Sequence, residues 1–407
     1  MKTVTTEVVM SGETDYGVGG HRYNDDLLLA QEARERAQQE HAAVFHLLDH
    51  EQLREAFRRE NGAANRAKRQ SHVAGFWAVT AALIALAGAA SEPLWGHLAA
   101  PWPRVIAISS AALGVLSFLV STFGLMYGRR KSAWLHARLY TEQLRQFHFQ
   151  AFVWRLPEMV DSLRPDENVR DKYRAERDQW FKIFEDSLRG RSDARMSALL
   201  NPTAAPTIWL HPHASDNEEA VVPDVTGVNL NDIFRAYEVF RLDEQQGYTE
   251  FMLRLINRPD PRSDPDLRPR RINRLWYPGI NQPLRAKRTA LTALWIVALT
   301  ALVLLHVGIL VSHIAGWQLL EGAWAHVTIV WAALLAVAVK TLSEGFALTR
   351  EIERYEEYHA VVSGLKQAFR AAESPRRKLQ IMIEMEKAAF EEMRVFLRSH
   401  HEATFIM

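Results

Sequence analysis

Four long runs almost free of charge constrain this chain more than anything else in it: residues 73–90, 105–127, 289–311 and 324–340. Crossing a bilayer as a helix takes about 20 largely apolar residues, because lipid offers a backbone amide nothing to bond. A core helix of a large soluble protein is the competing reading, but such helices rarely run this far without a charge. The third run, "TALTALWIVALTALVLLHVGILV", is the most apolar, and the first and fourth are shorter and alanine-rich.

The flanks give a direction. Arg66, Lys68 and Arg69 precede the first run, and Arg129, Arg130 and Lys131 follow the second. Arg285, Lys287 and Arg288 precede the third, and Lys340 and Arg350 follow the core of the fourth. The connections "SEPLWGHLAAPWP" and "SHIAGWQLLEGAWAH" carry little positive charge and hold Trp95, Trp102, Trp317 and Trp324. Lysine and arginine mark the cytoplasmic side and tryptophan the interface. The expectation is two hairpins that cross out and back, with both termini and every large segment in the cytoplasm. As topology signals the basic steps need no further role, although they would also attract anionic lipid headgroups.

The tetrapeptide "RAKR" stands at 66–69 and again at 285–288, each time before a hairpin. Each half reads helix, basic step, hairpin, long helix, break, helix. This order predicts an all-α membrane protein with an internal pseudo-repeat. The modules are 1–200 and 230–407, joined by the polar, proline-bearing linker 201–229. Asn24 or Asp25 is a candidate cap for one long first helix, and Asn231 or Asp232 for its counterpart. After the first hairpin, Ala137, Tyr140, Leu144, Phe147, Ala151 and Trp154 step by threes and fours, predicting a narrow stripe of coiled-coil type. Ser374 before Pro375 predicts a capped start for the last helix.

Nothing in the chain spells out chemistry. There is no cysteine, so no disulfide or thiolate metal site. No phosphate loop, nucleophile elbow or HExxH is present, and "YGVGGH" at 16–21 follows no βαβ pattern. The expectation is no enzyme, no catalytic residue, no cofactor and no metal. His41, His46 and His50, the linker pair His211 and His213, and the terminal pair His400 and His401 are read as solvated. Polar groups within the apolar runs are the better lead, because a charge in mid-membrane usually faces protein or water. His306 lies late in the third run, and Lys340 and Glu344 sit one turn apart at the end of the fourth. The second run adds Ser109, Ser110, Ser117, Ser121, Thr122, Gly114 and Gly124, which allow close helix approach. The connector bearing Arg262, Arg268, Arg270, Arg271, Arg274, Trp276 and Tyr277 is read as adhering to the membrane surface, ahead of an anionic ligand. Nucleic-acid binding is disfavoured, since no basic face with interleaved aromatics extends beyond the membrane flank.

The helix leaving the second run, "AWLHARLYTEQLRQFHFQ", resembles the SLATT superfamily, two-transmembrane effectors associated with SMODS nucleotidyltransferases and SLOG sensors. Trp134, Arg138, Glu142, Leu144 and Arg145 fill the family's pattern of aromatic, Arg, Glu and Leu-Arg. In the second half "YEVFRLDEQQGY", with Arg241, Gln245, Gln246 and Tyr248, and "MEKAAFEEMRVFL" resemble further family helices, while "REIERYEEYHAVVSGLKQAF" departs from them. The resemblance implies a tandem, pore-forming effector of bacterial antiphage defence in the inner membrane, and the hairpins and heptad-like helices add the expectation of a homo-oligomer. A nucleotide signal or a partner sensor protein would trigger it through its cytoplasmic helices. The alternatives are a membrane-anchored scaffold or sensor for a partner enzyme, and an ion channel or transporter subunit.

Overall fold

The computed structural model describes residues 25–96, 98–120, 129–188, 190–211, 214, 230–254, 284–316 and 322–403. Within these the regular elements are helices: α1 (Gln31–Glu40), α2 (Phe45–Leu48), α3 (Glu51–Ala90), α4 (Glu92–Trp95), α5 (Trp102–Leu119), α6 (Arg129–Trp154), α7 (Leu156–Asp161), α8 (Glu167–Leu188) and α9 (Ser192–Leu200). In the second half, α10 (Leu230–Tyr237) runs through a π-helical turn (Glu238–Asp243) into α11 (Glu244–Met252). There follow α12 (Leu284–Ala315), α13 (Ala323–Gly345), α14 (Leu348–Ala371) and α15 (Pro375–Glu402).

Four of these helices are long and apolar enough to cross a membrane: α3, α5, α12 and the α13–α14 stretch. Small residues let them close on one another. Ser117 Oγ on α5 donates to the Ala78 carbonyl on α3 at 2.8 Å, and further along Gly114 faces Ala85. A Cβ added to Gly88 would lie 2.2 Å from Ser110 Oγ. The pairing 78–117, 85–114 and 88–110 runs antiparallel. On its other side α3 meets α13, where Trp331 Nε1 donates to the Ala87 carbonyl (3.2 Å) and Ser91 Oγ (3.0 Å). Ala78, Val79 and Ala338 pack between them, and α12 lies along the far side of α13. The burial follows this order: 22% and 33% of the apolar windows of α3 and α13 are buried, against 11% for α5 and 6% for α12. So α3 and α13 are the inner pair, and α5 and α12 present apolar side chains such as Ile108, Phe118, Leu304 and Leu310 outward.

The remaining helices form one body around a core drawn from both halves of the chain, including Phe57, Phe147, Phe184, Tyr237, Val362 and Met382. The centre is α6, buried on nearly every side from Thr141 to Val153. The expected narrow stripe is therefore too narrow. Gln143, Gln146, His148 and Gln150 are buried too, because α6 is covered all round. Gln150 shows how such a face is satisfied: its amide donates to the Ile208 carbonyl (3.1 Å) and accepts from the Leu210 amide (2.8 Å). The early part of the 201–229 linker is thus strapped across α6, with Trp209 edge-on to Trp154 at 5.1 Å.

The expected long first helix is broken. Asp25–Leu27 form a single 3-10 turn, Leu28 takes a left-handed φ of 52°, and α1 ends before α2 and α3 begin. The interruptions turn His41, His46 and His50 into the core, all under a tenth exposed. Asn231 and Asp232 lie inside the first turn of α10 and not at its cap. Ser374 does cap α15, accepting from the Arg377 amide at 3.2 Å. Asn24, "YGVGGH", Ser121, Thr122, Gly124, His213, Trp317 and the arginine-rich connector lie outside the described residues.

Candidate functional site: a charged cavity at the base of the apolar helices

Below the apolar helices, where they enter the body, a part-open cavity of about 160 Å³ is lined by both halves of the chain. Two long helices deliver its lysines. α3 spans 40 residues without a break, roughly 60 Å at 1.5 Å per residue. It is anchored in the core by Leu53 and Phe57 and brings Lys68 to the wall just before its apolar part begins. α12 brings Lys287 to the same cavity at the same point of its own sequence. The two copies of "RAKR" thus place their lysines in one chamber, although 219 residues of sequence separate them.

The arginines and most carboxylates are tightly paired. Arg138 reaches Glu142 at 2.5 Å, and Arg145 bonds both Glu142 (2.7 Å) and Asp26 (2.6 Å). Burial disfavours the Glu142 anion, but Arg138 and Arg145 outweigh it and hold the carboxyl down at about 2. From the second half Arg354 chelates Glu351 (3.0 and 2.8 Å) and contacts Glu392. Its guanidinium lies 4.1 Å from the centre of the Tyr355 ring. Tyr355 in turn bonds Tyr248 at 2.9 Å. His400 stands 3.5 Å from Glu351, yet burial lowers its pKa to about 4. Neutral at physiological pH, it donates to the Phe396 carbonyl at 3.1 Å. Burial, with Asp26 and Asp25 nearby, pushes the Glu244 carboxyl up to about 8.

The two lysines, both ahead of the apolar runs, are harder to charge. Lys68 lies 5.9 Å from the face of Trp134, within cation–π range. Burial, then Arg138, lowers its pKa to about 8. Burial, then Lys68 itself, lowers that of Lys287 to about 7. Two ammonium groups share one chamber, and the charge of Lys68 opposes that of Lys287.

Trp134, Arg138, Glu142 and Arg145, singled out along α6, all line this cavity. Arg241, noted in the second half, is paired elsewhere, with a glutamate of the last helix. Arg241 and Glu386 form a fully buried two-bond contact (2.9 and 2.8 Å) completed by the Tyr237 hydroxyl at 2.9 Å. Other predicted residues stay apart. Arg66, Arg69 and Arg288 are exposed, Arg285 contacts Glu356, and Arg129 and Arg130 open α6. Lys131 holds the end of the last helix, donating to the carbonyls of His401 (2.8 Å) and Ala403 (2.6 Å). Lys340 and Glu344 do pair, at 3.0 Å, on an exposed face. His306 faces outward and bonds its own helix at the Leu302 carbonyl (2.8 Å), so it meets no neighbouring helix through that contact.

The histidines read as solvated are mostly structural. His46 bonds Ser162 at 2.9 Å, and His50 lies 3.4 Å from Asp178. His211 stacks on Phe147 and bonds its carbonyl (2.7 Å), while His41 meets Phe240 edge-on. Of the terminal pair only His401 is exposed. No group of three metal-ligating side chains occurs among the described residues. Sequence reasoning misses the cavity itself, and its one available signal is the similar offset of the two "RAKR" lysines from the apolar runs. No family model matches the chain, and no curated protein or solved structure aligns with it significantly.

Proposed function

We propose that this protein is a SLATT-like membrane effector with two transmembrane hairpins in one pseudo-repeated chain. It sits in a bacterial inner membrane with both termini cytoplasmic, and it opens the membrane when its helical body is triggered. The observation that carries this is the mechanical continuity of α3. One uninterrupted helix is fixed in the body core at Phe57, lines the charged cavity at Lys68 and packs against the other inner apolar helix at Ala78. A change in the cavity therefore moves the membrane part directly. The return path bends: between α13 and α14 the buried Ala347 takes a left-handed φ of 51°. Strain of this kind concentrates at switch regions.

Among the described residues the contact of α3 with α13 is closed by Ala78, Val79 and Ala338 and, further along, by Trp331 against Ala87 and Ser91. Opening requires several copies, joined through the outward apolar faces of α5 and α12. In bacteria expressing the chain with its trigger, a potential-sensitive dye should report depolarisation. A preserved potential in cells that still respond to the trigger would remove the pore reading and leave the membrane-anchored scaffold.

A further inference from the structure

We propose that copies of this chain join head to tail in the membrane: the outward face of α12 in one copy seats on the outward face of α5 in the next, with His306 bonded to Ser109 across the contact. The inference deepens the reading of an assembly of several copies and takes from it only that copies meet.

The order of the helices supports this first. α3 contacts α5 on one side and α13 on the other, and α12 contacts α13. The four therefore stand in a row, α5–α3–α13–α12, whose two edges are different helices. Those edges are the least covered parts of the row, with 11% of the apolar window of α5 and 6% of that of α12 buried. An edge that meets its own copy closes a dimer, whereas two different edges repeat from copy to copy, as a ring requires.

Polar groups choose between the two. His306 is exposed five residues inside the end of the apolar run at 311. The Leu302 carbonyl, 2.8 Å from Nδ1, can only accept. Nδ1 therefore carries the proton of the neutral ring, and Nε2 is left as an acceptor. Lipid tails offer no donor, and an ionisable side chain within a span normally meets protein or water. A two-fold axis along the bilayer normal, α12 on α12, would bring two such acceptors to one depth and satisfy neither. The other edge supplies a donor, the exposed hydroxyl of Ser109 on α5.

Depth and register agree with this pairing. Both hairpins turn at the same end of the row, because α3 and α13 meet at Ala78 and Ala338 and again, toward their turns, at Ala87 and Trp331. His306 lies nine residues before the end of α12 and Ser109 seven after the start of α5, about 14 and 11 Å from that end. α12 runs toward its turn and α5 away from its own. A contact of 306 with 109 therefore aligns Leu310 with Val105 and Val303 with Ala112. All six residues are exposed, and steps of three and four put each trio in one stripe.

The test uses the full-length chain, which has no cysteine of its own, reconstituted in liposomes and oxidised with a copper catalyst. The chain carrying both Val303→Cys and Ala112→Cys should give a ladder of disulfide-linked multimers, and either substitution alone should give monomer. Val303→Cys with Val105→Cys, about 10 Å out of register, should give no ladder. Added to the cross-linking pair, His306→Leu and Ser109→Ala should each cut the ladder yield roughly fivefold, and the two together no further. Dimers from a single-cysteine chain would set a helix on its own copy. Monomers throughout would leave lipid or another protein on these faces. Either result, or a ladder unchanged by His306→Leu, would overturn the proposal. The ladder is read without ion flux, so a full ladder in sealed vesicles removes the pore and keeps the interface, and leaking vesicles without a ladder do the reverse.

Discussion

At the scale of single residues, the buried ion pairs separate structural charge from surface charge. Glu386 is wholly buried and takes two bonds from Arg241 and one from Tyr237. Glu386→Ala strands a guanidinium without solvent, so chemical denaturation in detergent should show a loss of about 3–5 kcal/mol. Lys340→Ala breaks a pair that is more than half exposed on both sides and should cost at most about 0.5 kcal/mol. Glu244 gives the pH dependence. Its carboxyl loses its proton near 4.5 in the unfolded chain and near 8 in the folded one. The folded state binds the extra proton between these values, so stability is greatest below pH 4.5 for this group and declines toward pH 8. Glu244→Gln should flatten that decline in melts recorded from about pH 5 to 8.5, and a slope unchanged by the substitution would reject the assignment.

At the scale of elements, close packing of α3 on α5 depends on Gly88. A Cβ there would stand 2.2 Å from Ser110 Oγ and 3.3 Å from Ser110 Cβ, so alanine is tolerated if the hydroxyl rotates, but leucine is not. Gly88→Leu should lower the melting temperature well beyond Gly88→Ala, and Ser110→Gly should recover most of the alanine loss in a double-mutant cycle. The bend at Ala347 makes the opposite prediction. A left-handed alanine costs roughly 1 kcal/mol that glycine does not, so Ala347→Gly should raise the melting temperature in detergent. The elements themselves are unevenly legible. The apolar runs are plain because length and lack of charge are local properties. Helix α6 reads from its sequence as a stripe, yet a helix covered on all sides carries Gln143, His148 and Gln150 inward and loses its amphipathic period. The breaks on either side of α2 are invisible in the sequence because no proline or glycine announces them. Nor does one announce the turn before α1, which Leu28 makes with an unfavourable backbone, held by the core around it.

At the scale of the whole molecule, the membrane helices and the helical body are one mechanical object with a charged chamber at their junction. That chamber cannot be read from the sequence, because its walls come from residues between Asp26 and His400 and only folding brings them together. Along the chain Lys68 and Lys287 are topology signals, and their convergence is what turns them into a site. The absence of cysteine makes single-cysteine labelling clean. An impermeant maleimide should reach Leu98→Cys from one side of the membrane and Glu373→Cys only from the other.

The most direct test of the central claim is ion flux through proteoliposomes made with the purified chain over a range of protein-to-lipid ratios. Release should rise more steeply than linearly with the protein-to-lipid ratio, as assembly of several copies requires. Vesicles that stay sealed at every ratio would contradict a membrane-opening function.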